Sequence, residues 1–101
     1  MNLQEFKKIL CSAVKNVYHE QAHKETGSYA VWHEYGRGRE ANNRYRKIQI
    51  DYYTAAEYDD TPDKIVDALD ACAEIAVKEP IVDYDTDIKK WRYIIQCEMV
   101  V

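Results

Sequence analysis

Apolar residues recur at two different periods along this chain, and the point where one gives way to the other constrains what it can fold into. Leu3, Phe6, Ile9, Leu10, Ala13, Val14 and Val17 recur at helical spacing, with Lys7, Lys8 and Lys15 off that stripe. The pattern predicts an amphipathic helix of about four turns. Asn2 is placed to cap it and Glu5 to complete a capping box. From Tyr29 the period is two: Tyr29, Val31, His33 and Tyr35 share one face, and Ala30, Trp32 and Glu34 the other. It resumes at Tyr45, with Tyr45, Lys47, Gln49 and Asp51 against Arg46, Ile48, Ile50 and Tyr52. β-Branched and aromatic residues at alternate positions read as strands. The polar stretch from His19 to Ser28 reads as a loop. The link from Gly36 to Asn43, which contains glycine and asparagine, reads as a long exposed loop between two antiparallel strands.

Thr61 and Pro62 open a second helix as cap and first helical residue, and Pro80 stops it near Lys78. Ile65, Leu69, Cys72 and Ala76 line its apolar face, with Val66 and Ala73 beside them. Opposite runs a stripe of like charge: Asp63, Asp67, Asp70 and Glu74. A short strand (Ile81 to Tyr84), a turn through Asp85, Thr86 and Asp87, and a long strand (Trp91 to Val101) complete the chain. The order α-β-β-α-β-β predicts an α+β fold. The most economical arrangement is a two-layer sandwich, an about four-stranded, mostly antiparallel sheet with both helices on one face. A chain of 101 residues has room for one core, so residues 1–101 are expected to form a single domain.

With 47% hydrophobic and 32% charged residues, the chain can fill a core and wet its surface, which excludes wholesale disorder. No apolar run is long enough to span a bilayer, and the N-terminus has no secretory signal pattern, so a soluble, intracellular protein is expected. The net charge of −4 gives no general reason to bind nucleic acid. Cys11, Cys72 and Cys97 are odd in number, far apart and without a C-x-x-C pair. They read as reduced, mostly buried thiols rather than a disulfide or metal framework.

Four constellations bear on function. His19-Glu20-Gln21-Ala22-His23 matches H-E-x-x-H, which on a helix would place two imidazoles for zinc and a carboxylate to activate water. Here the helical periodicity has already run out, and the segment reads as a connection rather than a small zinc hydrolase site. No Cys–His pairing suggests a nucleophile, so no catalytic, metal-binding or cofactor-binding residue is assigned. Arg37, Arg39, Arg44, Arg46 and Lys47 form a basic segment against Glu40 alone. Asp51, Glu57, Asp59, Asp60, Asp63, Asp67 and Asp70 form an acidic one against Lys64 alone. This dipolar surface points to a protein partner more than to nucleic acid. Arg37, Arg39, Arg44 and Arg46 of one copy could meet Asp63, Asp67, Asp70 and Glu74 of the next, a head-to-tail contact able to close into a ring. Nine tyrosines and two tryptophans exceed what a small core holds. Tyr53 and Tyr58 are therefore expected to be partly exposed, as interface tyrosines are, and Tyr29, Trp32, Tyr35 and Trp91 to pack in the core or across strands.

The string Tyr29-Ala30-Val31-Trp32-His33-Glu34-Tyr35-Gly36 is followed by Ala41-Asn42-Asn43, by Ile50-Asp51-Tyr52-Tyr53-Thr54 with Glu57 and Asp59, and by Asp63-Lys64-Ile65-Val66-Asp67-Ala68-Leu69. This order resembles the small tail proteins of siphophages and prophages of Gram-positive bacteria, in which Y-x-V-W-x-E-x-G, A-x-N and D-Y-F-T strings precede a helix of the same type. The similarity covers about residues 14 to 75 and extends more loosely through Trp91. The chain departs from the pattern at Tyr53, which stands for phenylalanine, and in the arginine-rich insertion Arg37 to Glu40. The resemblance implies a two-layer α+β domain without enzymatic activity, a tail terminator or tail-completion protein that forms a homo-oligomeric ring and joins the tail to the head. A head–tail neck or minor capsid component is the alternative within the same class. Expected partners are other tail or neck proteins, with no membrane and no sequence-specific nucleic acid. The expected location is the host cytoplasm during assembly and then the virion tail.

Overall fold

The computed structural model describes residues 1–20 and 27–101. Its elements are α1 (Leu3–Ala13), β1 (Val17–His19), β2 (Tyr29–Glu40), β3 (Asn43–Thr54), α2 (Thr61–Asp70), β4 (Ile75–Val77), β5 (Ile81–Asp85) and β6 (Lys90–Val100). The fold is α+β, with two helices and a six-stranded open sheet in the order β1-β2-β3-β6-β4, β5 also pairing with β6. Every pairing is antiparallel except β1 on β2. Six strands thus stand where four were expected, because two three-residue strands come from segments read as helix or loop.

α1 starts as the sequence indicates: the Asn2 side chain accepts from the Glu5 N–H at 2.8 Å, and Glu5 returns the bond to the Asn2 N–H. It ends at Ala13, because Val14 is extended (φ −128°, ψ 132°) and the β-branched and aromatic run Val17-Tyr18-His19 pairs with Ala30, Val31 and Trp32. α2 is shorter than its periodicity suggests. Ala71 to Glu74 turn out of the helix, and Ile75 to Val77 pair with β6 as β4. Ala76 and Glu74 are therefore not on the helix. Thr61 lies inside α2 rather than capping it, and the preceding Asp60 makes no side-chain cap. Asp59 takes that part, its carboxylate accepting from the Thr61 N–H at 2.9 Å.

The register places alternate residues on opposite sheet faces. Ala30, Trp32, Ile48, Ile50, Tyr52, Ile95, Cys97 and Met99 share one buried cluster with Phe6 and Leu10 of α1, Val14 just past its end, and Ile65 and Leu69 of α2. Phe6 packs directly on Trp32, ring centroids 5.4 Å apart. This is the core face. The other, open face carries Tyr29, Val31, His33, Gln49, Asp51, Tyr53, Arg92 and Gln96. There Arg92 pairs with Asp51 at 3.1 Å, Gln96 donates to Gln49 at 3.2 Å, and Tyr29 stacks on Tyr53.

The segment from Gly36 to Asn43 is not a long loop. β2 and β3 stay paired up to Glu40 and Asn43, leaving a two-residue turn with Ala41 at φ 52°. Glycine makes the extension possible by space rather than by dihedral. A β-carbon on Gly38 would lie 2.3 Å from the Tyr45 ring that covers it. The twelve-residue strands at ~3.3 Å per residue reach ~40 Å, which accounts for the long axis of a molecule measuring 44 × 22 × 21 Å.

Candidate interaction site

The arginines are brought together by one irregularity. The β2–β3 register runs without interruption from Tyr29↔Tyr53 to Glu34↔Ile48, then shifts, and Gly36 pairs with Lys47. Tyr35 is the extra residue, a β-bulge that reverses the alternation of everything after it. Were Tyr35 paired regularly in the ladder, Arg37 and Arg39 would point to the open face. With it, Arg37 lies opposite Arg46 and Arg39 opposite Arg44, and all four continue the core face beyond the helices. Arg46 itself sits across from buried Met99. The same face is thus apolar where helices cover it and cationic where they stop.

Like charges opposite each other across strands repel, and one carboxylate moderates this. Glu34 accepts from Arg37 Nε and, at 3.0 Å, from Arg46. These bonds, that from Arg37 foremost, hold the Glu34 carboxyl below its usual range despite partial burial. Arg39 and Arg44 are exposed and have no ion-pair partner among the described residues. The guanidiniums with Gly38, Tyr45 and Val101 line a shallow cleft of about 440 Å³. Such a surface can hold carboxylates or other oxyanions bidentately.

The acidic face is split. Asp63, Asp67 and Asp70 are exposed on α2. Glu74 lies past the helix end and pairs with the N-terminal ammonium at 2.8 Å, so it leaves the stripe. Glu57, Asp59, Asp60 and Asp63 instead converge around Tyr58, which is 91% exposed, and Tyr93. Within this group Asp59 has a structural task, its second carboxylate oxygen accepting from Tyr52 Oη at 2.7 Å. Burial raises its pKa, but the bonds from Thr61 and Tyr52 outweigh that and keep it low.

Among the other expected groups, Trp32 is buried, Tyr53 and Trp91 are half-buried and Tyr58 is exposed, whereas Tyr35 is exposed because it is the bulge. The cysteines are free. Cys97 is buried, and burial pushes its thiol up to about 12. Cys11 is exposed, contrary to expectation, since α1 buries mainly Phe6 and Leu10. His19 ends a strand and stacks on Trp32 at 4.1 Å. The helical setting that H-E-x-x-H needs is therefore missing at His19, and His23 lies outside the described residues. No group of three His, Cys, Asp or Glu able to hold a metal occurs among the described residues, nor a helix long and apolar enough to cross a membrane. No protein-family model matches the chain, and no curated protein matches it.

Proposed function

We propose that this chain is a non-enzymatic virion structural protein, a phage or prophage tail terminator or tail-completion protein that acts by assembling into a ring at the tail–head junction. The observation that carries this reading is the bulge-aligned face of Arg37, Arg39, Arg44 and Arg46, with Glu34 as its one internal counter-charge. Asp63, Asp67 and Asp70 on α2 of the next copy supply the complementary surface. The two patches differ, so the contact is head-to-tail and can close into a ring. A two-layer arrangement, with both helices on one sheet face, leaves the arginine arm bare beside the helical layer. The resemblance to phage tail proteins supports the same class. Its strings fall in β2 up to the bulge, at the end of β3 and in α2. There Tyr52 bonds Asp59, and buried Thr54 accepts from Ser28 Oγ and the Ala56 N–H.

Sedimentation of the full chain at low salt should show a concentration-dependent oligomer. Asp67→Lys with Asp70→Lys should weaken it about ten-fold or more, ~1.4 kcal/mol, and Arg37→Glu with Arg39→Glu in the same chain should partly restore it. Deleting the gene from its phage should leave heads and tails that fail to join. A strictly monomeric protein at high concentration, or normal virions after deletion, would overturn the reading.

A further inference from the structure

We propose that β5 is a docking edge for a second copy of this chain, and that its occupant is the free outer edge of β2, residues Glu34 to Glu40. The sheets of neighbouring subunits would then join through main-chain hydrogen bonds. This rests on the self-association proposed above and names the surface that makes it.

An open sheet has two edges, and here they are unlike. On one side β1 covers β2 only at Ala30 to Trp32, and no strand among the described residues pairs with the outer edge of β2 from Glu34 to Glu40. That edge carries Arg37 and Arg39 between Glu34 and Glu40, and the arm is cationic through Arg44, Arg46 and Lys47 of the adjoining β3. On the other side β5 pairs with β6 alone. One face carries Val82 (51% exposed) and Tyr84 (43%), the other Ile81 (61%) with Asp83 and Asp85, and Ile88 of the following turn is 45% exposed. Isolated proteins guard such an edge with charged side chains, proline or a covering element, because unpaired N–H and C=O groups template strand addition. From Ile81 to Asp85 the guards are Asp83 and Asp85, which repel an acidic strand but not a cationic one, and there is neither lysine nor proline.

Charge decides which edge it takes. From Glu79 to Ile88 the chain carries Glu79, Asp83, Asp85 and Asp87 and no cation. Two β5 edges repel each other, and so do two arginine edges, but β5 attracts the β2 arm. Self-pairing of like edges, which would give a closed dimer, is disfavoured, and a head-to-tail polarity remains. The geometry meets the arginine contact at Asp63. Val82 pairs with Tyr93, and Tyr93 lies beside Glu57, Asp59, Asp60 and Asp63. An arm seated along β5 with its core-side face aligned would turn its four guanidiniums toward that acidic group.

The test compares the wild-type chain with Val82→Lys/Tyr84→Lys, both positions exposed. Sedimentation should show a folded variant whose dissociation constant is raised at least about ten-fold. In parallel, amide exchange of the wild type, assembled against dilute, should slow about ten-fold or more at Ile81–Asp85 and at Glu34–Glu40 together. If the wild type never assembles, both this proposal and the ring reading fall. If it assembles, responds to Asp67→Lys/Asp70→Lys, but shows no added protection at β5, the strand pairing is wrong and the ring reading stands. Protection at β5 without protection at Glu34–Glu40 overturns β2 as the occupant. Should the lysine variant fail to fold, the exchange of the wild-type amides decides alone.

Discussion

One antiparallel ladder does two different jobs in this protein. Below the bulge, Tyr29–Glu34 pairs with Ile48–Tyr53 and turns Ala30, Trp32, Ile48, Ile50 and Tyr52 into the helices. Above it, Gly36–Glu40 pairs with Asn43–Lys47 and turns four arginines to the same side, with Glu34 their one ion-pair partner among the described residues. The backbone pairing is the same, so the contrast comes from what covers it. Burial under α1 and α2 makes the lower half the source of stability, and its absence makes the upper half available for a partner. The sharpest way to break this comparison is by truncation. Phe6→Ala removes a fully buried ring packed on Trp32 and should cost about 3–5 kcal/mol. Arg39→Ala, exposed and unpaired, should stay within about 0.5 kcal/mol. Urea unfolding of both variants measures the difference, and equal losses would mean the arm belongs to the core.

The next effect is smaller in stability and separates the bulge from the face it aligns. Deleting Tyr35 removes the extra residue and restores regular alternation, and because Gly36 still falls opposite Lys47 and Arg37 opposite Arg46, all four arginines stay on the core face. Tyr35 is 44% exposed, so little packing is lost, and the unfolding free energy should change by less than about 2 kcal/mol. Oligomer affinity should therefore stay within about two-fold, ~0.4 kcal/mol. A ten-fold loss would show that assembly needs the bulge itself and not only the shared arginine face.

The sequence resolves the two regions unequally, for a physical reason. Core positions announce themselves because burial requires apolar residues at the period of the element, so Phe6, Leu10, Trp32, Ile50, Ile65, Leu69 and Ile95 stand out without a structure. The end of α2 does not, because Cys72, Ala73 and Ala76 fit a helix by spacing and are claimed instead by pairing of Ile75–Val77 with β6, which is a tertiary event. β1 is hidden in the same way, since Val17 satisfies both periods. The four arginines are legible as a group by sequence proximity, but their common face is not. It depends on a one-residue shift at Tyr35, for which Tyr35-Gly36 is at most a weak local signal. The β5 edge is missed because an exposed apolar strand reads like any other until its unpaired side is seen.

The smallest difference is one of pH, and it separates the halves by one carboxylate each. Asp59 joins the lower half to α2 through Tyr52 and Thr61, and Glu34 holds the upper half through Arg37 and Arg46. Both are held below their ordinary pKa values of 3.8 and 4.5. A carboxyl lowered by folding adds stability that is fully present above its unfolded pKa and is lost as pH falls through the folded one. Both contributions should therefore be complete by about pH 5–6 and fade below about pH 4. Their sizes should differ. The Asp59 bonds are partly buried, and leaving Tyr52 Oη without its acceptor costs about 1–3 kcal/mol. The Glu34 pairs lie at the surface, where such pairs give about 0–1 kcal/mol. Asp59→Asn should thus lower stability near neutrality and flatten the acid slope, while Glu34→Gln should change stability little at any pH and raise the positive charge of the arginine face. Urea midpoints from pH 3 to 7 test this. A steeper loss for Glu34→Gln than for Asp59→Asn would mean that the arm, and not the Asp59 junction, holds the ladder together.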